Sequence, residues 1–145
     1  MIGKKEIIKS IATLIGNELN LKVYAIDAKE GYDRPSFFIE EAMHLVTNLG
    51  TDLMEERVTI RLTYFPEDGA DKNKKLWEME ERLKKLFFVG IKITNDFFVT
   101  FEEDISFEIT PSTNLAVLLP MHFIQDVAAN LGEDVETLEM EFTEE

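Results

Sequence analysis

The hydrophobic and polar positions between Tyr32 and Pro66 follow the pattern of two long strands joined by a turn. The first predicted strand runs from Ser36 to Val46, and the second, in which hydrophobic and polar residues alternate, runs from Arg57 to Phe65. Residues typical of turns stand between them, namely Asn48, Gly50 and Asp52. Both strands exceed the usual length of about 5–6 residues, so we expect the tip of this hairpin to project beyond the core and to contact a partner.

Hydrophobic residues at helical spacing predict one helix before the hairpin and another after it. The first occupies KKEIIKSIATLIGNEL, Lys4 to Leu19, with Asn20 as a left-handed stop. The second extends from about Lys72 to Phe87, and its outer face is charged. On that face the spacing predicts the ion pairs Glu78–Arg82, Glu80–Lys84 and Glu81–Lys85. Each helix is therefore expected to lie with its apolar stripe on a sheet.

Further apolar segments are predicted to be strands, namely Leu21–Asp27, Ile91–Ile93, Phe97–Phe101, Ile105–Ile109 and Leu115–Ile124. The last of these is apolar enough to be buried on both faces. Pro120 interrupts it, which predicts an edge position, a bulge or a break into two pieces. Together these elements predict an α+β (α/β) fold, in which a mixed, mostly antiparallel sheet contains a long β-hairpin and is covered by two helices.

The chain length of 145 residues suits one domain, so residues 1–145 are interpreted as a single domain. Residues 132–145 are a candidate C-terminal arm. In this acidic segment Leu138, Met140 and Phe142 alternate with polar residues. That alternation predicts a strand, which would join either its own sheet or the sheet of a neighbouring copy.

The charge of the chain is strongly negative, because 29 acidic residues outnumber 15 basic ones and give a net charge of −14. Nucleic acids and anionic membranes bind proteins largely through Lys and Arg, so neither is an expected ligand. The surplus acid is explained either by solubility or by a need to let DNA pass close by without binding. The absence of cysteine excludes disulfides and thiolate metal sites. No apolar run is long enough for a membrane-spanning helix, and no signal peptide is apparent.

The sequence lacks the usual motifs of catalysis, including a nucleophile elbow, a phosphate-binding loop and a zinc-binding His-Glu-x-x-His. His44 and His122 fall on separate predicted strands and are interpreted as hydrogen-bonded or surface histidines. The acidic residues of the loop after Pro66 do not match the ligand spacing of a calcium loop. We therefore expect no catalytic residue, no metal site and no cofactor.

The order of motifs along the chain resembles the phage tail terminator family. After a short helix and a strand come RPSFFIE, the long hairpin and a strand that ends in TYFP. The resemblance weakens towards the C-terminus, where Pro120 interrupts the last strand. It implies a small non-enzymatic subunit that forms a ring, usually a hexamer, in the virion tail. Such a ring caps the tail tube, stops its growth and joins it to the head connector protein, after assembly in the host cytoplasm. DNA would pass through without specific binding.

Contacts with other subunits are expected at the hairpin tip, Thr47 to Glu56, and at the loop from Glu67 to Asn73. The predicted contact residues are Arg34, Phe38, Thr47, Asn48, Leu49, Asp52, Leu53, Met54, Glu55, Arg57, Arg61, Glu67, Asp68 and Asp71. The three arginines are expected to pair with carboxylates, within the chain or between subunits. Alternative functions are another head-tail connector or tail tube protein, an acidic protein that mimics DNA, and a small enzyme that uses the two histidines.

Overall fold

The described chain contains both helices and most of the strands that the sequence predicts. The computed structural model describes residues 3–25, 33–95, 97–101 and 103–126. The elements are α1 (Lys4–Leu19), β1 (Lys22–Tyr24), β2 (Ser36–Asn48), β3 (Leu53–Phe65), α2 (Lys72–Phe87), β4 (Ile91–Thr94), β5 (Phe97–Val99), β6 (Ser106–Ile109) and β7 (Leu115–Asp126). Both helices have their predicted bounds, and Asn20 ends α1 in the left-handed conformation. The α+β fold class is confirmed.

The larger sheet is mixed, as predicted. Its order is β1-β2-β3-β7-β6 among the described strands, with β1 parallel to β2 and the other neighbours antiparallel. The short strands β4 and β5 form a separate antiparallel pair. The strands at the two sides of the larger sheet are short, because β1 pairs only with residues 36–38 and β6 only with residues 115–118. In the rest of the described sheet only three strands remain, namely β2, β3 and β7.

The central hairpin is longer than the sequence predicted. Strand β2 continues to Asn48 rather than ending at Val46, and β3 begins at Leu53 rather than at Arg57. The predicted tip of residues 47–56 was therefore too wide, since the turn occupies only residues 49–52. The adjacent acids at residues 55 and 56 suggested a polar loop, but in a strand they simply point to opposite faces. In addition, a bulge between Glu41 and Met43 interrupts the regular pairing of β2 with β3.

The core lies between the larger sheet and the helices, with α1, α2, β4 and β5 on one face of that sheet. We call this side the helix face. Apolar stripes of both helices are fully buried there, at Ile7, Ile11 and Ile15 of α1 and at Leu76, Leu83 and Phe87 of α2. Aromatic contacts connect the layers: the ring centroids of Phe97 and Phe123 are 5.3 Å apart. The core thus extends along β7 as far as Phe123.

Strand β7 corrects one prediction and confirms another. Its side chains alternate between buried and more exposed positions, so one face is buried rather than two. Pro120 does not break the strand but pairs with Thr59 of β3. It lies beyond the end of β6, on a part of β7 that has no second neighbour among the described strands. Proline has no backbone N–H to donate, and at this edge no described neighbouring strand requires one, so the position tolerates proline. The predicted edge position is confirmed.

None of the three ion pairs predicted along α2 is present among the described residues. Lys84 pairs with Glu81, at 2.6 Å, rather than with Glu80. This shorter spacing still places both side chains on the same side of the helix.

Candidate assembly surfaces

The far end of the larger sheet forms a three-stranded extension of the described fold. We call residues 43–57 and 122–126 the arm, and the part of the sheet with residues 36–41, 59–65 and 115–120 the base. No described strand pairs with the outer edge of β2 or of β7 within the arm. Unpaired edges of this kind are templates for pairing with another chain. The arm therefore offers backbone hydrogen-bonding groups on both of its sides.

The arm also exposes apolar side chains on the face opposite the helices, which we call the open face. The cross-strand register places Met43, Leu45, Leu53 and Ile124 on this face, and each is between two fifths and three fifths exposed. A side chain such as Leu45, which is 50% exposed, contributes little to the folding free energy of the isolated chain. Contiguous exposed apolar residues usually mark an interaction surface.

A buried polar network separates the arm from the core on the helix face. Glu56 is only 6% exposed, and its carboxylate contacts two side chains from the neighbouring strands. Nε2 of His44 lies 2.8 Å from one of its oxygens, and the amide of Gln125 donates a hydrogen bond to the other. Glu41 extends the network, since its carboxylate lies 3.8 Å from Nδ1 of His44. Apolar packing therefore ends at this level of the sheet.

The second histidine belongs to the opposite face. Nε2 of His122 lies 2.9 Å from Oε2 of Glu55, and the cross-strand partner of His122 is Arg57. His44, by contrast, lies opposite the buried Val58. The two imidazoles therefore lie on different faces of the sheet, each beside its own glutamate. The interpretation of both as hydrogen-bonded histidines is confirmed, and the geometry does not bring them together as an enzyme using both would require.

The predicted contact residues fall into two groups at opposite ends of the sheet. Those of the arm are Thr47, Asn48, Leu49, Asp52, Leu53 and Arg57, which are exposed, and Met54 and Glu55, which are half-buried. The hairpin turn is held by Leu49, whose backbone N–H donates to the carbonyl of Leu53, and by the Asn48 side chain, which accepts from Gly50. A cavity of about 230 Å³ lies at this tip.

The base group surrounds the start of α2. Arg34 lies with its guanidinium 5.4 Å from the centre of the Phe65 ring, and it donates a hydrogen bond to the carbonyl of Pro66. Its side chain is also 3.8 Å from Asp68, which in turn pairs with Lys72. Glu67 and Asp71 are exposed in the same loop, while Phe38 is half-buried on the open face. This cluster holds the loop against the sheet.

All three arginines that were expected to pair with carboxylates do so within the chain. Arg61 donates a hydrogen bond of 2.9 Å to Glu40 across β2 and β3. Arg57 lies 3.9 Å from Glu55, and Arg34 pairs with Asp68 as described above. Because all of these side chains are partly exposed, each pair contributes little to folding.

A second exposed apolar surface was missed by the sequence analysis. Phe88 and Val89 follow the end of α2 and are 87% and 65% exposed, and Phe98 of β5 is also exposed. Gly90 joins them with φ of +97°, and a side chain there would meet the Phe98 ring. The signal was present in the sequence Phe87-Phe88-Val89-Gly90, since a helix that buries Phe87 cannot turn Phe88 to the same side.

Two further features of the described residues concern membranes and metals. None of their helices is long and apolar enough to span a bilayer. They also contain no cluster of three or more His, Cys, Asp or Glu that could hold a metal ion.

Comparison with known families agrees with the fold. A family model described as phage tail terminator protein matches residues 6–129 of the 145. This match covers the helices, the hairpin and β7, including the part around Pro120 where the resemblance of individual motifs is weaker. A search of curated proteins finds no match. With most of the chain matched by the family model, this protein belongs to the phage tail terminator family, a family of structural proteins of the phage tail.

Proposed function

We propose that this protein forms a ring, in which copies of the single domain close around the path of the DNA at the end of the tail tube. The observation that carries the proposal is the arm, which combines unpaired strand edges with exposed apolar side chains. An isolated subunit gains nothing from keeping these groups in water, whereas a neighbouring copy would cover them.

The two ends of the sheet suit different contacts in such a ring. The arm projects beyond the helices and can reach a neighbouring copy or the last layer of the tail tube. The loop of residues 66–71 lies at the other end of the sheet and is positioned by Arg34. We infer that one rim docks on the tube and stops its growth, and that the opposite rim receives the head connector. The ring would be a hexamer, as is usual in this family, and would assemble in the host cytoplasm.

The negative charge of the chain supports a role in which DNA passes through the ring without binding to it. The net charge of −14 opposes contact with phosphates, and the three arginines of the hairpin region are paired with carboxylates within the chain. A ring lined by this surface would let DNA move through without being held. No reaction step is required, because the function is to end one polymer and present a surface to the next component.

Electron microscopy of the concentrated protein tests the proposal. We expect rings with a central hole, and native mass spectrometry should give one dominant ring mass. Some rings close only on their template, so the same measurement is made with purified tail tubes, where a ring should appear at one end. Protein that stays monomeric at high concentration and also fails to bind tail tubes would contradict the proposal.

A further inference from the structure

We propose that the ring closes head to tail, with Phe88 of one copy inserted into the cavity at the arm tip of the next. This inference rests on the proposed function and specifies which surfaces of the subunit meet. A ring requires two different complementary patches on each copy, because a patch that pairs only with itself gives a closed dimer. The structure provides two such patches, one projecting and one concave.

The projecting patch, which we call the knob, consists of Phe88, Val89 and Phe98. It is the most exposed group of large apolar side chains in the described chain, and Phe88 is 87% exposed. The backbone next to Phe88 is anchored by its neighbours. Phe87 is fully buried, and the N–H of Gly90 donates a hydrogen bond to its carbonyl. Phe88 thus lies between a buried residue and a hydrogen-bonded turn, and its side chain projects into solvent.

The concave patch is the cavity at the arm tip, which we call the hollow. Its volume is about 230 Å³, and its lining residues are Val46, Asn48, Gly50, Thr51, Leu53 and Met54. An engineered apolar cavity of about 150 Å³ is enough to hold benzene, so the hollow has room for a phenyl ring. Val46 and Leu53 are both substantially exposed in the isolated chain. The register places Val46 and Met54 on the helix face and Leu53 on the open face, so a phenyl ring in the hollow would cover Val46 and Met54.

The charges around the two patches are opposite. Lys84, Lys85 and Lys92 surround the knob, and Lys92 is the cross-strand partner of Phe98. Glu81 neutralises Lys84 in part, and its carboxylate raises the pKa of that lysine, so Lys84 keeps its charge. Lys85 and Lys92 form no ion pair within the described ranges.

The arm tip carries the complementary sign. Asp52 and Asp126 are exposed there, and Asp126 is the cross-strand partner of Leu53. The arm contains a single Lys or Arg, Arg57, which lies four residues along β3 from Leu53 and pairs with Glu55. Lysines around the knob would therefore meet aspartates around the hollow, which favours this pairing over a contact between two knobs or between two arm tips.

A mixing experiment tests the directionality. Phe88→Ser removes the knob but leaves the hollow, whereas Val46→Lys places a positive charge in the hollow but leaves the knob. Both positions are exposed, so neither variant should lose thermal stability. We expect each variant alone to be monomeric in native mass spectrometry. An equimolar mixture should give dimers, because it contains one intact knob and one intact hollow per pair.

Trp77→Ser is the matched control. Trp77 is a large exposed aromatic residue of α2 that lies outside the knob, so this variant should form rings as the wild type does. Rings formed by Phe88→Ser, or a mixture that stays monomeric, would overturn the inference while leaving the proposed ring intact. A wild type that neither self-associates nor binds tail tubes would overturn both.

The absence of cysteine provides a second, covalent test. In a variant carrying both Lys85→Cys and Asp52→Cys, which keeps Phe88 and the lining of the hollow, oxidation should link successive copies into a ladder that ends at the ring size. The two positions must come within the usual Cβ–Cβ distance of about 3.5–4.5 Å for this to occur. The Trp77→Cys/Asp52→Cys variant should give no ladder. Equal ladders from both variants, with or without tail tubes, would contradict the proposed contact.

Discussion

The base and the arm are built from the same three strands, but they differ in what surrounds them. In the base, β2, β3 and β7 are flanked by β1 and β6 and covered by two helices among the described residues, so alternate side chains are fully buried. In the arm the same strands continue without flanking strands, and Leu45, Val46 and Leu53 are about half exposed. Both regions form strands, so secondary structure does not show which side chains stabilise the fold and which are available to a partner. The degree of burial does show it. The polar network around Glu56 marks the boundary between them.

The largest expected contrast comes from two leucines. Leu62 of the base is fully buried, whereas Leu45 of the arm is half exposed. Leu62→Ala should lower the free energy of unfolding by about 2–5 kcal/mol, since it leaves a cavity. Leu45→Ala should change it by no more than about 0.5 kcal/mol and should instead weaken ring formation. Urea denaturation of the two variants measures the difference. Similar losses of stability in both would show that the arm belongs to the folding core.

The boundary itself can be tested with the two glutamates that contact the histidines. Glu56→Ala leaves the buried Gln125 without its acceptor and removes the carboxylate that His44 contacts, so we expect a loss of about 1–3 kcal/mol in unfolding free energy. Glu55→Ala removes a partly solvated contact with His122 and should cost at most about 1 kcal/mol. Thermal melts of the two variants provide the comparison. A Glu55 variant as unstable as the Glu56 variant would mean that the open face is covered in the folded subunit.

We expect the stability of the fold to depend on pH in the alkaline range, because of Tyr64 in the base. Burial raises the pKa of Tyr64, and the nearby Glu67 adds to this effect. The folded chain therefore retains the phenolic proton to higher pH than the unfolded chain does. The resulting stabilisation is complete below the unfolded pKa of about 10 and is lost as the pH rises through the folded pKa. Tyr64→Phe should show a smaller fall in melting temperature between about pH 9 and about pH 11. An identical fall in wild type and variant would contradict this assignment.

The smallest effect is expected from the exposed pair at the middle of the hairpin. Arg61→Ala removes the contact with Glu40, and because both side chains are substantially exposed the unfolding free energy should change by less than about 1 kcal/mol. Raising the salt concentration should reduce the difference between wild type and variant further. A larger and salt-insensitive loss would indicate that this pair is covered by another part of the chain.

The sequence predicted the elements well because their hydrophobic periods are long and regular. Both helices have the predicted bounds, and the alternation of β3 located its buried side correctly. The width of the hairpin tip was wrong, because the adjacent acids Glu55 and Glu56 suggest a polar loop until the partner strand is seen. Burial of β7 on both faces was also wrong, since an apolar composition does not show which neighbours are present.

The assembly surfaces were only partly predictable. Asn48, Gly50 and Asp52 were placed at the tip from turn chemistry, and the structure exposes all of them. The exposure of Phe88 was missed, although its position directly after the buried Phe87 at the end of α2 carried the signal. The predicted strand at residues 132–145 lies outside the described residues and stays a prediction.

The central claim is that the arm is covered by other subunits rather than by its own chain, and hydrogen–deuterium exchange tests it most directly. Amide exchange is measured by peptide for the dilute monomer and for the ring, formed at high concentration or on tail tubes. We predict that amides of residues 43–54 and 122–126 become protected in the ring, while those of residues 59–65 stay equally slow in both states. Arm amides that exchange at the same rate in the monomer and in the ring would contradict the account.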